Sequence, residues 1–279
     1  MSRGGASGPR WLGIDFSGDH LMWRPGRRTN AWIAAVGTSR GRLVLDDVRP
    51  VTALPGAGSP FERLAELLRG GDFAAAAVDA PFSIPGRYLR GTHRALLARV
   101  AALGRTSGTR PFAPAVAFVH GVTGQLPPLT PPKPYRETEA CWRARGVNVR
   151  STLWAGPRGG AAMTAACLTL LALADRPMWP WSRTPGGLLV EAFPAAQLAR
   201  WELPFERYAR NDPQAFRHRE TIVDALAGRL VLGARRRLLI RSADALDALL
   251  CAFAAIAVAA GVAPTPDRCS EEGWIAVHP

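Results

Sequence analysis

Lysine is almost missing from this sequence. Of 35 basic residues only Lys133 is a lysine, and it sits in the proline-rich stretch PPKPY. A Walker-A phosphate loop, a Schiff-base enzyme and an S-x-x-K dyad all need a lysine in another setting, so those chemistries are excluded. Cysteine is sparse as well. Cys141, Cys167, Cys251 and Cys269 show no C-x-x-C spacing, which speaks against a disulfide framework and a zinc knuckle. The five histidines (His20, His93, His120, His218, His278) form neither H-x-x-x-H nor H-E-x-x-H. Long apolar runs are lacking too. Gly159–Ala174 and Ala248–Ala263 are 16 residues each without a charge, short of the roughly 20 that span a bilayer. Both read as buried helices, and no membrane partner is expected. The N-terminal MSRGGASGPR has no apolar signal-peptide core, so a cytoplasmic location is expected.

What is present has the balance of a globular protein. The 279 residues are 48% apolar and 20% charged, enough to bury a large core without staples. The net charge is +13. A basic surface suits a polyanion such as nucleic acid. Codon bias in a GC-rich genome produces the same arginine excess, and the arginines are spread out, with Arg235–Arg237 the main run.

Patterning places strands at Trp11–Phe16, Ala31–Thr38, Leu43–Val51, Phe73–Val78 and Gly187–Glu191, the second and third joined by an SRGR turn. A helix is predicted over Ser59–Arg69, where Ser59 caps and Pro60 opens the first turn. Others follow at Tyr88–Leu103, Glu137–Arg145, Ala161–Ala174, Gln214–Leu230 and Ser242–Gly261. Leu238–Arg241 reads as a short strand or loop. Gly104–Pro134 holds seven prolines; it is too long for an ordinary connection and is expected to cross the surface near the site as a mobile lid. A hairpin followed by strands alternating with helices gives an α/β fold. Its mixed sheet is antiparallel at one edge, parallel in the remainder and flanked by helices.

Carboxylates recur at strand ends. Asp15 closes WLGID, Asp79 follows AAAAV and Glu191 closes LLVE. In parallel strands these ends meet at the edge where α/β proteins bind ligands; an acid after a strand also simply marks a loop or caps a helix. The helix SADALDALLCAFAAIAVAAG adds Asp244 and Asp247, which share a face at i and i+3. Asp244 in the first turn also suits the helix dipole. Asp247 lies in a helix apolar nearly all round and needs a partner or a metal. Carboxylates gathered without a lysine call for divalent cations. Two magnesium or manganese ions take carboxylate and water oxygens and clamp an in-line displacement at phosphorus. Asp15, Asp79, Glu191, Asp244 and Asp247 are the candidate ligands; all but Asp244 are the candidate catalytic residues. For substrate, Arg110 and Phe112 in RTSGTRPFAP suit phosphate contact and base stacking. Arg136 and Glu139 in RETE suit either a substrate contact or a surface ion pair.

GIDFSG at 13–18, VDAPFSIP at 78–85, RETE at 136–139, EAFP at 191–194, DALDALLCA at 244–252 and EGWIAVHP at 272–279 together resemble an uncharacterised, mostly prokaryotic family, domain of unknown function 429. That family is regarded as predicted nucleases of the RNase H-like fold. The D-x-x-D-A motif is also similar to the last helix of Holliday-junction resolvases. The resemblance implies a flexible arm over 1–10 and one RNase H-like domain over 11–279, with the proline-rich insertion at about 104–134. It puts Asp15 on the first strand, Asp79 on the fourth, Glu191 on the fifth, and Asp244 and Asp247 on the final helix. The implied activity is magnesium- or manganese-dependent hydrolysis of phosphodiester bonds in nucleic acid. Many such enzymes carry a glutamate on the first helix; Glu62 and Glu66 are candidates, or belong to a solvated helix face. Many resolvase-like members carry Glu where this chain has Asp79. Two rivals stand beside the nuclease. One is an ATP-dependent phosphotransferase of the sugar-kinase and actin superfamily, which usually has two such halves and a second D-x-G loop that this sequence lacks. The other is a non-catalytic nucleic-acid-binding scaffold, in which arginines would fill the acidic cluster.

Overall fold

The computed structural model describes residues 10–105, 110–129, 133–157, 159–266 and 269–279. All of the expected arm except Arg10 lies outside the described residues. At the centre is a five-stranded sheet ordered β3-β2-β1-β4-β5. Its strands are β1 (Trp11–Asp15), β2 (Trp32–Ser39), β3 (Arg42–Pro50), β4 (Ala75–Val78) and β5 (Leu188–Glu191). β1–β2 and β2–β3 pair antiparallel, while β1–β4 and β4–β5 pair parallel. This is the mixed sheet that the residue pattern predicts, in an order consistent with an RNase H-like fold. Arg40 and Gly41 turn the hairpin with φ of 50° and 74°, the conformation whose twist matches the flanking strands.

The helices are α1 (Pro60–Gly70), α2 (His93–Arg105), α3 (Ala115–Thr123), α4 (Glu137–Ala144), α5 (Ala161–Ala174), α6 (Pro194–Arg200), α7 (Pro213–Ala227), α8 (Arg236–Arg241) and α9 (Ala243–Ala259). Strand side chains alternate between two cores. Leu12, Ile14, Ile33, Ala35, Ala76, Val78 and Leu189 face α1, α2, α3 and α5. Ala34, Val36, Ala75, Ala77, Leu188 and Val190 face the other side, where α9 lies. No single helix among the described residues is long and apolar enough to cross a membrane.

Three expectations change. Leu238–Arg241 is the end of α8, not a strand or loop. Ser242 N takes the Leu238 carbonyl at 2.9 Å and Arg219 Nε takes that of Ile240 at 2.6 Å, so helical backbone here is satisfied locally. Within 104–134, residues Ala115–Thr123 form α3, whose Phe118, Val119 and Val122 are buried against the α2 and α5 side. That stretch is core rather than lid. Glu62 is engaged at its own helix start: Ser59 N donates to Glu62 Oε2 at 2.7 Å and Glu62 N to Ser59 Oγ at 3.3 Å. Glu66 is exposed.

Both outer strands carry short caps. On β3, Leu45 N donates to Val231 O at 3.0 Å and Val231 N to Leu43 O at 2.9 Å. On β5, Trp179 N donates to Leu189 O and Leu189 N to Pro177 O, each at 2.9 Å. Just beyond β5 the C-terminal segment joins in, with Ala276 N donating to Glu191 O at 2.9 Å. Trp274 is buried there, as expected from the apolar GWIAV.

Helix α9 lies directly on β1 at Gly13. A Cβ at that position would stand 2.0 Å from Ala248 O and 2.3 Å from Ala252 N. Backbone cannot yield as a side-chain end can, so the helix would have to move away from the sheet. Gly13→Ala is expected to cost about 2–3 kcal/mol, as overpacking does in a close-packed core. Thermal unfolding checks it; an unchanged midpoint would mean that α9 has slack over β1.

Candidate active site

Two adjacent parallel strands bring the first acids together. Ile14 pairs with Val78, and Asp79 N donates to Ile14 O at 2.9 Å. Asp15 and Asp79 therefore end neighbouring strands. Since Ile14 and Val78 face the α5 side, Asp15 and Asp79 alternate to the α9 side. Helix α9 starts at this same edge, with Ser242 Oγ accepting from Ala245 N at 3.1 Å. Its first turns bring in Asp244 and Asp247. Asp15, Asp79 and Asp244 line a cavity of about 350 Å³ together with Glu191, Arg136 and Glu139, whereas Asp247 does not line it.

The four aspartates are all raised in pKa, chiefly by burial and, for Asp15 and Asp247, also by the charge of other aspartates. Burial lifts Asp15 well above the usual carboxylate range, and the charges of Asp247, Asp79 and Asp244 lift it further. Burial and Asp79 do the same to Asp247, against a hydrogen bond from Tyr208. Asp79 is pushed up to about 7 by burial, with Arg150 opposing and Glu191 adding. Asp244 is raised by burial, with Arg28 opposing. Among the described residues no cation lies within ion-pair distance of any of the four.

Glu191 lines the same cavity but is held differently. It pairs with Val78 in register, so it projects to the face opposite Asp15 and Asp79. There Arg136 grips it with two bonds, Nη1 to Oε2 at 2.8 Å and Nη2 to Oε1 at 2.5 Å. Phe82 N adds a third at 3.0 Å. Arg136 Nε donates to Glu139 Oε1 at 2.8 Å, and Arg136 N to Glu139 Oε2 at 3.1 Å. Arg136 and Glu139 are 1% and 0% exposed, so RETE holds a buried pair and not a surface one. Burial works against the Arg136 charge, but Glu191 and Glu139 outweigh it and keep the guanidinium protonated. One cation between two buried carboxylates leaves a net negative triad. Burial accordingly lifts Glu139 to about 7 despite Arg136. Glu272 closes the triad from the C-terminal segment: its carboxylate accepts from Gly86 N and from Glu137 N (2.7 Å for the latter), and its carbonyl from Arg136 at 3.3 Å.

The other proposed substrate residues are placed elsewhere. Phe112 is buried, with its ring 5.5 Å from that of Phe61, so it has no free face for a base. Arg110 is exposed, and neither residue lines the cavity. His20 sits 3.8 Å from Asp19 and does not line it either.

Sequence reasoning missed Tyr208, Arg219 and Arg150. Tyr208 Oη donates to Asp247 Oδ1 at 2.7 Å; burial and Asp247 raise its phenol, so it stays a donor. Buried Arg219 holds the Tyr208 and Arg210 carbonyls and fixes that segment. Arg150 lines the cavity and is the cation most strongly felt by Asp79. An isolated tyrosine in an irregular stretch and an arginine among many carry no motif.

The aspartates supply the hard oxygen donors that magnesium and manganese take. Among the described residues no three His, Cys, Asp or Glu side chains are gathered as a metal cage. Magnesium commonly takes one or two carboxylates, waters and substrate phosphate instead, and the uncompensated charge here fits that demand. Glu191 fits it poorly, because both its oxygens are already engaged.

Removing Arg136 would leave two carboxylates buried without a partner. Arg136→Met should cost about 3–5 kcal/mol, the usual penalty for breaking a buried ion pair. Adding Glu191→Gln should restore part of it. A denaturant titration of the single and double variants checks this; additive losses would mean that the two residues are not coupled.

No curated protein and no solved structure matches the chain. Residues 13–271 match the family described as protein of unknown function DUF429. With that match running over nearly its whole length, and the strand ends and α9 motif inside it, the chain belongs to the DUF429 family.

Proposed function

We propose that this protein hydrolyses phosphodiester bonds in nucleic acid with the help of magnesium or manganese. The observation that carries the reading is the convergence of Asp15, Asp79, Asp244 and Asp247 on one sheet edge with no cation within ion-pair distance of them among the described residues. Such a site is costly unless positive charge arrives from outside. These four aspartates would hold the ion or ions. A bound divalent ion supplies a Lewis acid for a phosphoryl oxygen and an acidified water. Tyr208 keeps Asp247 in one orientation, Arg219 fixes the Tyr208 backbone, and Gly13 sets how deeply α9 and its acids reach toward Asp15. The scaffold reading would need arginines in the acidic cluster. Arg136 does fill Glu191, but among the described residues no arginine comes within ion-pair distance of the aspartates, and Arg150 acts on Asp79 only from further off.

Two measurements test this. Manganese should raise the melting temperature of the wild type by several degrees and support cleavage of single-stranded, duplex or branched substrates. Asp247→Asn should abolish both, by about a hundredfold or more for cleavage, while the metal-free variant melts no earlier than the wild type. A variant that melts much earlier, beside a wild type indifferent to manganese, would make Asp247 structural and end the nuclease reading.

The pH profile gives an independent check. Asp79 is raised from 3.8 to about 7 in the folded protein. Folding therefore takes up protons between those values. The stability from this source is full below about pH 4 and is lost as pH rises through about 7, each tenfold difference in proton affinity being worth roughly 1.4 kcal/mol. Asp79→Asn should therefore gain stability relative to wild type as pH rises from about 5 to about 8. A constant difference between the two profiles would place Asp79 in solvent.

A further inference from the structure

A strip of cations and aromatic rings adjoins the acidic cavity. Ser151 Oγ donates to Pro134 O at 2.5 Å, tying the segment around Lys133–Tyr135 to the segment Asn148–Trp154. Gly160 N donates to Ser151 O at 3.1 Å and Ala161 N to Trp154 O at 3.3 Å, tying the second segment to the start of α5. From these parts Asn148, Arg150, Gly159, Gly160 and Met163 line the cavity shared with Asp15 and Asp79. Arg150 is exposed and has no carboxylate within ion-pair distance among the described residues. Lys133 Nζ stands 4.4 Å over the Trp154 ring, and the Arg143 guanidinium 4.6 Å over the Tyr135 ring. Arg143 Nη1 also reaches the Val149 carbonyl at 3.3 Å. Arg87, Lys133 and Tyr135 share a surface hollow with Glu272, whose carboxylate is taken up by the Gly86 and Glu137 amides. The one lysine of the chain thus lies beside the candidate site.

We infer that this strip is the track of a single-stranded nucleic acid leading into the cavity. It rests on the nuclease reading for the class of polymer and adds its strandedness and its path. Arg150 takes a backbone phosphate at the cavity mouth, where a guanidinium can bind two oxygens at once. Lys133 and Arg143 take phosphates further along. Trp154 and Tyr135 offer ring faces to unstacked bases, the combination that suits single strands because every base has a π-face. A duplex keeps its base faces inside its own stack and cannot use the rings.

The test is binding without divalent ions, using the Asp15→Asn protein in chelator and fluorescence anisotropy. Probes are a labelled single-stranded oligonucleotide, a duplex of equal length and heparin. The single strand should bind at least about tenfold tighter than the duplex. Trp154→Leu should weaken the single strand about tenfold, within the range for lost base stacking, and leave heparin unchanged. Arg150→Ala should lower the slope of log affinity against log salt by about one. Melting curves check folding; should Trp154→Leu melt early, Tyr135→Leu carries the same expectation. Duplex binding equal to single-strand binding, or single-strand binding indifferent to the ring and Arg150 variants, overturns the proposal. A chain that binds the single strand this way but never cleaves would keep the strip and remove the nuclease reading, so the two failures are distinct.

Discussion

Everything at the acidic edge depends on how closely α9 approaches β1. A helix normally stands off a sheet by the length of its side chains. Here a glycine on the strand faces alanines on the helix, and backbone meets backbone at Gly13. The approach brings the first turns of α9 to the ends of β1 and β4, so that Asp247 and Asp244 raise Asp15 by their charge. The alanine-rich composition of α9 follows from the same constraint, because larger residues would lift the helix off. Gly18 repeats the device at the next turn of chain. A Cβ there would lie 2.5 Å from Met163 N, so the loop after β1 rests on the first turn of α5.

The molecule holds two carboxylate systems and treats them in opposite ways. Glu191 and Glu139 are buried with Arg136 and hydrogen-bonded on every side. Buried ions satisfied in this manner fix geometry. This triad joins β5, α4, the loop after β4 and the C-terminal segment. Among the described residues the aspartates have no such cation within ion-pair distance; Tyr208 bonds to Asp247 and the Phe16 backbone to Asp15. Stability alone would not select such a cluster, since like charges oppose folding. That contrast separates the structural acids from the candidate functional ones more sharply than their placement at strand ends does.

Much of this was legible in the sequence. The strand ends at Asp15 and Asp79, the capped α1, the helix over Ala161–Ala174 and the shared face of Asp244 and Asp247 all follow from periodicity and caps. That Glu191 reaches the cavity of the aspartates from the other face of the sheet, already gripped by Arg136, was not. Parallel strands buried on both faces show no alternation of polar and apolar residues, so AAAAVD and LLVE hide which way each acid points. Register decides it, by pairing Glu191 with Val78 rather than Asp79. Phe112 and α3 were hidden for a related reason. AVAFVHGVT lacks a polar face, and its setting among prolines reads as loop. Arg136 was ambiguous because i, i+3 spacing places two charges on one face without saying whether water reaches them.

The caps on the outer strands bear on how the protein behaves when crowded. A sheet ends in a row of unpaired amides and carbonyls, and such rows recruit strands from other chains. Here Val231 takes hydrogen bonds on β3, and Pro177–Trp179 takes them on β5. Neither rim offers an uninterrupted template. With a net charge of +13 adding mutual repulsion, the native protein is poorly suited to edge-to-edge aggregation, and its self-association in concentrated solution would have to proceed through side chains or through partly unfolded molecules.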